Sequence, residues 1–236
     1  MTTRVLLVRH GATVHAAEDR FASSAGVELS DEGRMQACSL AERLASEPLA
    51  AIYASPMKRT MDTANILADP HDLTAIPTEG LEEISHGYWE GLLRSEAQDQ
   101  FPEEFAAWEA DPFTFAPRDG EAGLHVLARA LPVLREIVIR HDEELVLIIS
   151  HKATIRLLIS SLLGFDARGY RDRLDQHPCG LNILDFKDPV RARLMLYNDV
   201  SHYEDVPKQI TTRHLSTWWD PVVSSPRPNY SESEPA

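Results

Sequence analysis

The segment LVLIISHKATIRLLISSLLG, residues 145–164, carries the reading on which the fold turns. Its first six residues are aliphatic or small with no polar alternation, the pattern of a strand buried on both faces. His151 and Lys152 follow at once, and residues 153–163 then hold apolar side chains densely enough for a packed helix that stops at Gly164. The same strand, polar turn and helix recur twice. RVLLV at 4–8 runs into Arg9-His10, and AIYAS at 51–55 runs into Pro56-Met57-Lys58-Arg59. Ser30, Asp31 and Glu32 start one helix with a stripe of Ala37, Leu40, Ala41 and Leu44, and Pro48 bounds it. Ser55-Pro56 predicts a second start, with a capping hydroxyl and proline at the first helical position. Residues 123–141 place Leu127, Leu131, Leu134 and Val138 at helical spacing, with a bend expected at Pro132. Strands at 181–186 and 192–197 flank Lys187-Asp188-Pro189 and predict a hairpin. Alternating strands and helices that end in a hairpin predict an α/β, three-layer sandwich. Its sheet is mainly parallel with an antiparallel edge, and helices cover both faces.

At 236 residues, 43% hydrophobic and 25% charged, the chain suits a folded domain at 1–206. The tail at 207–236 turns rich in Ser, Pro and Glu and is expected to be largely disordered, with Trp218-Trp219 as a possible anchor. The opening MTTRVLLV is too short for a secretory apolar region, and no run approaches the ~20 apolar residues of a membrane span, so the cytoplasm is the expected address. Cys38 and Cys179 do not make a secreted disulfide framework, and Cys38 reads as a small buried helix residue. The net charge of −14 argues against nucleic acid and anionic membranes as partners. It also makes any local concentration of positive charge conspicuous.

That concentration lies after the three apolar strands. In open α/β sheets ligands bind beyond the carboxyl ends of the strands. Neighbouring strands would therefore gather Arg9, His10, Arg59, His151 and Lys152 into one cationic pocket. Arginines grip phosphate bidentately, and a helix start near Arg59 adds free N–H groups. A neutral imidazole can carry a phosphoryl group, and a second histidine can steady the transferring oxygens. The proton donor for a leaving alcohol is sought in LEEISHGYWEG, residues 81–91, among Glu82, Glu83 and Glu90.

LLVRHGAT, YASPMKRTMDTA, LEEISHGYWEG and IISHKATIR, in that order over about residues 4–200, resemble the four signature blocks of the histidine phosphatase superfamily, also called phosphoglycerate mutase-like. NDVSHYEDV resembles the end of its phosphatase branch. The resemblance implies a phosphoglycerate mutase-like fold with His10 as the nucleophile that becomes phosphohistidine. It implies Arg9 and Arg59 as phosphate ligands, His151 completing the pocket, and Glu83 as the acid and later base. Gly11, Thr13 and Lys152 join Arg9 and Arg59 as expected substrate contacts, and no metal or other cofactor is expected.

Three departures bear on substrate contacts. Alanine stands at Ala16, where the family usually has asparagine. Arg20-Phe21-Ala22-Ser23 with Gly26 replaces a motif commonly written Arg-x-Gln-Gly. Lys152 stands where small residues usually follow the second histidine. Gly91 reaches Gly120 in fewer than thirty-five residues, close to the phosphatase length and shorter than the insertion of mutases. That segment, with Phe101, Phe105, Trp108, Phe113, Phe115 and Arg118, is expected to cover the site and set specificity. Its acidic stretch EEFAAWEAD disfavours highly charged substrates. The expected activity is hydrolysis of a small phosphorylated metabolite, a sugar phosphate or a phosphoglycerate-like acid. A cofactor-dependent phosphoglycerate mutase and a non-catalytic phospho-ligand binder are the alternatives, separable by phosphoglycerate interconversion and by binding without turnover.

His15, His71, His125, His141, His177 and His214 read as loop or surface residues. His86 reads as packing beside the site, and His202 as a structural hydrogen-bonding residue. No Cys-x5-Arg loop, Asp-x-Asp pair after a strand, or Gly-x4-Gly-Lys loop offers a different phosphate chemistry.

Overall fold

A computed structural model describes residues 2–14, 20–21 and 26–204. The expected tail, His15, Ala16, Ala22, Ser23 and His214 lie outside the described residues. Six strands form one sheet in the order β3-β2-β4-β1-β5-β6. They are β1 (Thr3–Arg9), β2 (Leu49–Ala54), β3 (Ile76–Pro77), β4 (Leu145–Ser150), β5 (Leu181–Phe186) and β6 (Ala192–Asp199). β1, β2, β3 and β4 run parallel, and β5 and β6 close the β1 side as an antiparallel edge.

The period of two explains why these strands lack polar alternation. Val5 and Leu7 of β1 and Val146 and Ile148 of β4 face one core, which α5 (Gly123–Arg140) and α6 (Lys152–Leu163) cover. Leu6, Val8, Leu147 and Ile149 face the other, under α1 (Asp31–Leu44) and α2 (Lys58–Ala68). Each central strand is thus buried on both sides. Three shorter helices, α3 (Arg94–Gln100), α4 (Pro102–Ala110) and α7 (Tyr170–Arg173), lie outside this sandwich. Trp89, Phe105 and Trp108 form an aromatic core with Phe21, so the expected cover has its own hydrophobic centre. No helix among the described residues is long and apolar enough to cross a membrane.

Several expectations change. Ser30 caps α1, accepting from the Gly33 N–H at 3.1 Å. The second helix, however, starts at Lys58 with Met57 as its N-cap and no side-chain cap. Ser55 is still held by strand pairing, its N–H donating to the Ile149 carbonyl at 3.0 Å, so helix geometry begins only after Pro56. Cys38 is exposed and Cys179 buried. A step of ~100° per residue carries Cys38 off the stripe that Ala37 occupies. The helix α5 spans Gly123–Arg140 with Pro132 inside it, on the exposed side where water can replace the missing backbone bond, as expected of a proline that bends a helix without ending it.

Two glycines set the chain just beyond β1. A Cβ at Gly33 would lie 2.0 Å from the Ala12 carbonyl oxygen, and one at Gly11 2.5 Å from that of Gly33. Backbone therefore packs on backbone where β1 hands over to the first turn of α1. Gly33→Ala is expected to cost roughly 3 kcal/mol through overpacking. Thermal unfolding should show this as a fall in Tm of about 6–12 °C.

Candidate active site

The order β2-β4-β1 makes neighbours of the three strands that carry the cationic residues. Arg9 ends β1, and the His10 N–H donates to the Ser150 carbonyl at the end of β4, 3.1 Å away. His10 is 6% exposed. Its Nδ1–H donates to the Gly11 carbonyl at 2.8 Å, which leaves the Nε2 lone pair facing the Nε–H of Arg59 at 3.2 Å. Burial, followed by the charges of Arg9 and Arg59, holds the His10 imidazole well below its usual pKa. It stays neutral at working pH and keeps its lone pair.

His151 is the N-cap of α6 and is fully buried, its ring edge-on to His10 with centroids 5.1 Å apart. Its Nε2 shares a 2.8 Å hydrogen bond with the hydroxyl of Ser55, and Nδ1 has no partner among the described residues. Burial first, then His10, Arg59 and Arg9, hold its pKa well down too. The Ser55 hydroxyl thus serves His151 at 2.8 Å and makes only a long 3.5 Å contact, accepting from the Met57 N–H, at the helix start.

Arg9 donates through Nη1 to the Gln176 carbonyl at 2.7 Å. The Gln176 and Asn182 side chains bond each other reciprocally at 2.9 and 3.0 Å, and Asn182 Nδ2 donates to the Leu7 carbonyl at 2.8 Å. A buried hydrogen-bonded pair therefore aims the guanidinium through Nη1, while Arg9 Nε has no partner among the described residues. Burial lowers the Arg9 pKa to about 10, against the stabilising charge of Glu83, and it remains a cation.

Glu83 lies across the start of α6. Its carboxylate accepts from the N–H groups of Ala153 and Thr154 at 3.2 and 3.3 Å, and its charge acts on both Arg9 and Arg59. Arg129 of α5 fixes the loop. It donates to the carbonyls of Gly80, Glu82 and Glu83 at 2.9–3.0 Å while its Nε and Nη2 grip Glu121 at 2.9 Å. Glu82 faces elsewhere, toward the Gly80 N–H and Arg129. Of the two carboxylates, Glu83 is the one whose charge acts on Arg9 and Arg59.

Gly11 contributes its carbonyl to His10, while its N–H donates to Thr63 Oγ1 at 3.1 Å. That donor is therefore engaged by the protein itself. Thr13 forms an isolated bridge with Leu29. Arg118 is exposed and pairs with Asp119. Lys152 opens α6 beside His151, with its ammonium 3.6 Å from Asp175. Asp175, Gln176, Asn182 and Arg129 went unread in the sequence, being single polar residues without motif or period, while Ser55 was read only as a helix cap and Arg156 only as part of its block.

His86 joins the acid loop to the aromatic cluster, packing at a tilt against Phe21 with centroids 4.7 Å apart and edge-on to Trp108 at 6.0 Å. Burial pushes its pKa down to about 4, against the opposing charges of Glu83 and Glu121. The unfolded chain therefore takes this proton first, and stability is lost as pH falls from 6.5 toward 4. The difference between 6.5 and about 4 corresponds to roughly 3 kcal/mol. Urea midpoints measured over this range should fall, and His86→Phe should flatten the profile.

Other histidines also differ from expectation. His141 is buried, placed between the Tyr53 hydroxyl at 2.8 Å and Glu144 at 2.6 Å. His202 has no hydrogen-bond partner for either ring nitrogen among the described residues and packs edge-on to Tyr203.

Comparison with known proteins places these features in company. The profile of the histidine phosphatase superfamily (branch 1) matches residues 5–200. Phosphoserine phosphatase 1 of Hydrogenobacter thermophilus is 34% identical over 163 residues, 69% of this chain and 77% of that one. Glucosyl-3-phosphoglycerate phosphatase of Mycolicibacterium vanbaalenii is 32% identical over 168 residues, 68% and 74% of the two chains. The solved structure of Bacillus stearothermophilus YhfR superposes with a TM-score of 0.80 at 31% identity, over 86% of this chain and all of that one.

Proposed function

The chain belongs to the histidine phosphatase superfamily and is a phosphatase of small phosphate substrates, and we propose that it works through a phosphohistidine at His10 with Glu83 as acid and base. The observation that carries this is the neutral His10 imidazole, whose Nδ1–H is committed to Gly11 and whose Nε2 lone pair faces Arg59. Nε2 attacks phosphorus as the ester P–O bond breaks. Glu83, in its protonated form, gives its proton to the departing oxygen. The resulting carboxylate then takes a proton from water, whose oxygen attacks phosphorus and breaks the P–N bond. Arg9 and Arg59 hold the non-bridging oxygens and offset the charge gathered on them, the part a metal plays in other phosphatases. His151, neutral in the free site, gains an anionic neighbour when phosphate binds, which favours its cationic, donating form.

The substrate is a small phosphomonoester, a sugar phosphate or a phosphoglycerate-like acid. The names of the two relatives, one acting on phosphoserine and one on glucosyl-3-phosphoglycerate, support that class. The short stretch from Gly91 to Gly120 supports hydrolysis over mutase chemistry. Phosphate release from p-nitrophenyl phosphate in excess chelator tests the reading. Undiminished turnover is expected, together with an acid-labile, alkali-stable phosphoenzyme on rapid quenching. Activity that vanishes with chelator and returns with a divalent ion would refute it.

A further inference from the structure

The phosphate cradle does not account for all the buried positive charge at this end of the sheet. Lys152 and Arg156 stand four residues apart on α6 and so share one face. The loop before β5 brings Asp175 to both. Its Oδ1 lies 3.0 Å from Arg156 Nη2 and 3.6 Å from Lys152 Nζ, and its Oδ2 lies 3.4 Å from His177 Nε2. The next residue, Gln176, holds Arg9 through its carbonyl. The dipeptide Asp175-Gln176 therefore joins this cluster to the phosphate ligand, and Lys152 follows His151 directly in the chain.

Two cations share one carboxylate here. The Arg156 side chain is 10% exposed, and its Nε has no partner among the described residues. That Nε is shut off from solvent, so the group a ligand can reach here is the Lys152 ammonium, whose side chain is 42% exposed. Burial, with repulsion from Arg156 and Arg9, pushes the Lys152 ammonium down to about 8, so this corner is short of negative charge. Burial also works against the Asp175 carboxylate, but Lys152, His177 and Arg156 outweigh it and hold that carboxyl down to about 2. Asp175 is 58% exposed and stays charged, the protein's own anion in a position a ligand can share.

We infer that Lys152 and Arg156, with Asp175 as internal counter-ion, form a second anion subsite that selects phosphomonoesters bearing a carboxylate. This rests on the phosphatase reading above and narrows its substrate class. Two cations less one carboxylate leave a single positive charge, which matches a carboxylate rather than a second phosphate dianion. The substrate's phosphate occupies the cradle at Arg9, Arg59 and His10, and its carboxylate binds the part-exposed Lys152 ammonium, with the buried Arg156 guanidinium adding positive charge behind it. Asp175 competes for the same ammonium.

The test is competition against p-nitrophenyl phosphate hydrolysis by 3-phosphoglycerate and by glycerol 3-phosphate. These differ only in a terminal carboxylate against a hydroxymethyl group. Wild type is expected to favour 3-phosphoglycerate by about tenfold or more, the worth of a hydrogen bond to a charged group. Lys152→Gln should lose about tenfold of that preference, Lys152→Arg should retain it within a few fold, and Asp175→Asn should increase it severalfold. A pair that only steadies the loop would move the preference in no variant, or in the same direction for Lys152→Gln and Asp175→Asn. Equal inhibition of wild type by the two compounds, or a preference unmoved by Lys152→Gln and Asp175→Asn, overturns the subsite while aryl phosphate turnover leaves the phosphatase reading intact. Absence of that turnover in folded wild type removes both.

Discussion

Replacing His10 with alanine is expected to lower kcat/KM for phosphomonoesters by about 10⁴-fold or more, the scale seen when a covalent nucleophile is removed. The expectation follows from position. His10 sits at the carboxyl end of β1, with its tautomer set by Gly11 and its lone pair facing Arg59. No neighbour is ready to replace it. His151 is 5.1 Å away between ring centroids, but its Nε2 is engaged with Ser55. Steady-state turnover of p-nitrophenyl phosphate measures the loss, and rapid quenching should find no alkali-stable phosphoenzyme in the variant. Near wild-type turnover by a folded His10→Ala protein would show that another group accepts the phosphoryl. The wild-type profile carries a further check. Because burial and two arginines hold the imidazole well below its usual pKa, its protonation should not cut kcat/KM near pH 6.5, and loss from this group should come only at clearly lower pH.

Glu83→Gln should divide substrates by leaving group. For alkyl phosphates, whose alkoxide needs a proton, kcat is expected to fall by about 10²–10⁴-fold. For p-nitrophenyl phosphate, whose phenolate leaves unaided, phosphoryl transfer should be far less affected. The loss should then appear in the water step as accumulated phosphoenzyme. Burst kinetics with the aryl substrate read that step directly. Glu82→Gln is the matching control, since Glu82 bonds the Gly80 N–H and Arg129 rather than facing the arginine cradle. Equal losses in the two variants, or a loss of the phosphoryl-transfer step in Glu83→Gln that is the same for alkyl and aryl leaving groups, would end the acid–base assignment.

Much of the architecture could be read before any coordinates. Apolar runs without alternation predicted strands with two covered faces, and β1, β2 and β4 have them. The stripe of α1 is buried where the spacing put it, and the hairpin of β5 and β6 lies at the sheet edge. The reading failed where a residue's surroundings, rather than its spacing, decide its place. Cys38 lay one step off an apolar stripe and is exposed. Ser55 had the form of a helix cap, but its hydroxyl is spent on a histidine 96 residues further along the chain.

The site divides in the same way. The sequence alone determined which residues leave the strand ends, because a strand's carboxyl terminus, a histidine after it and a helix start are local features with a period or a motif. Only the tertiary structure decided that β4 lies between β2 and β1, which brings Arg9, His10, Arg59 and His151 to one point. It also decided that Gln176 and Asn182 aim Arg9, that Arg129 clamps the acid loop, and that Asp175 meets Lys152 and Arg156. Those are bonds between single polar groups far apart in the chain. Their energy depends on distance and burial in the folded state, and neither quantity leaves a period in the sequence.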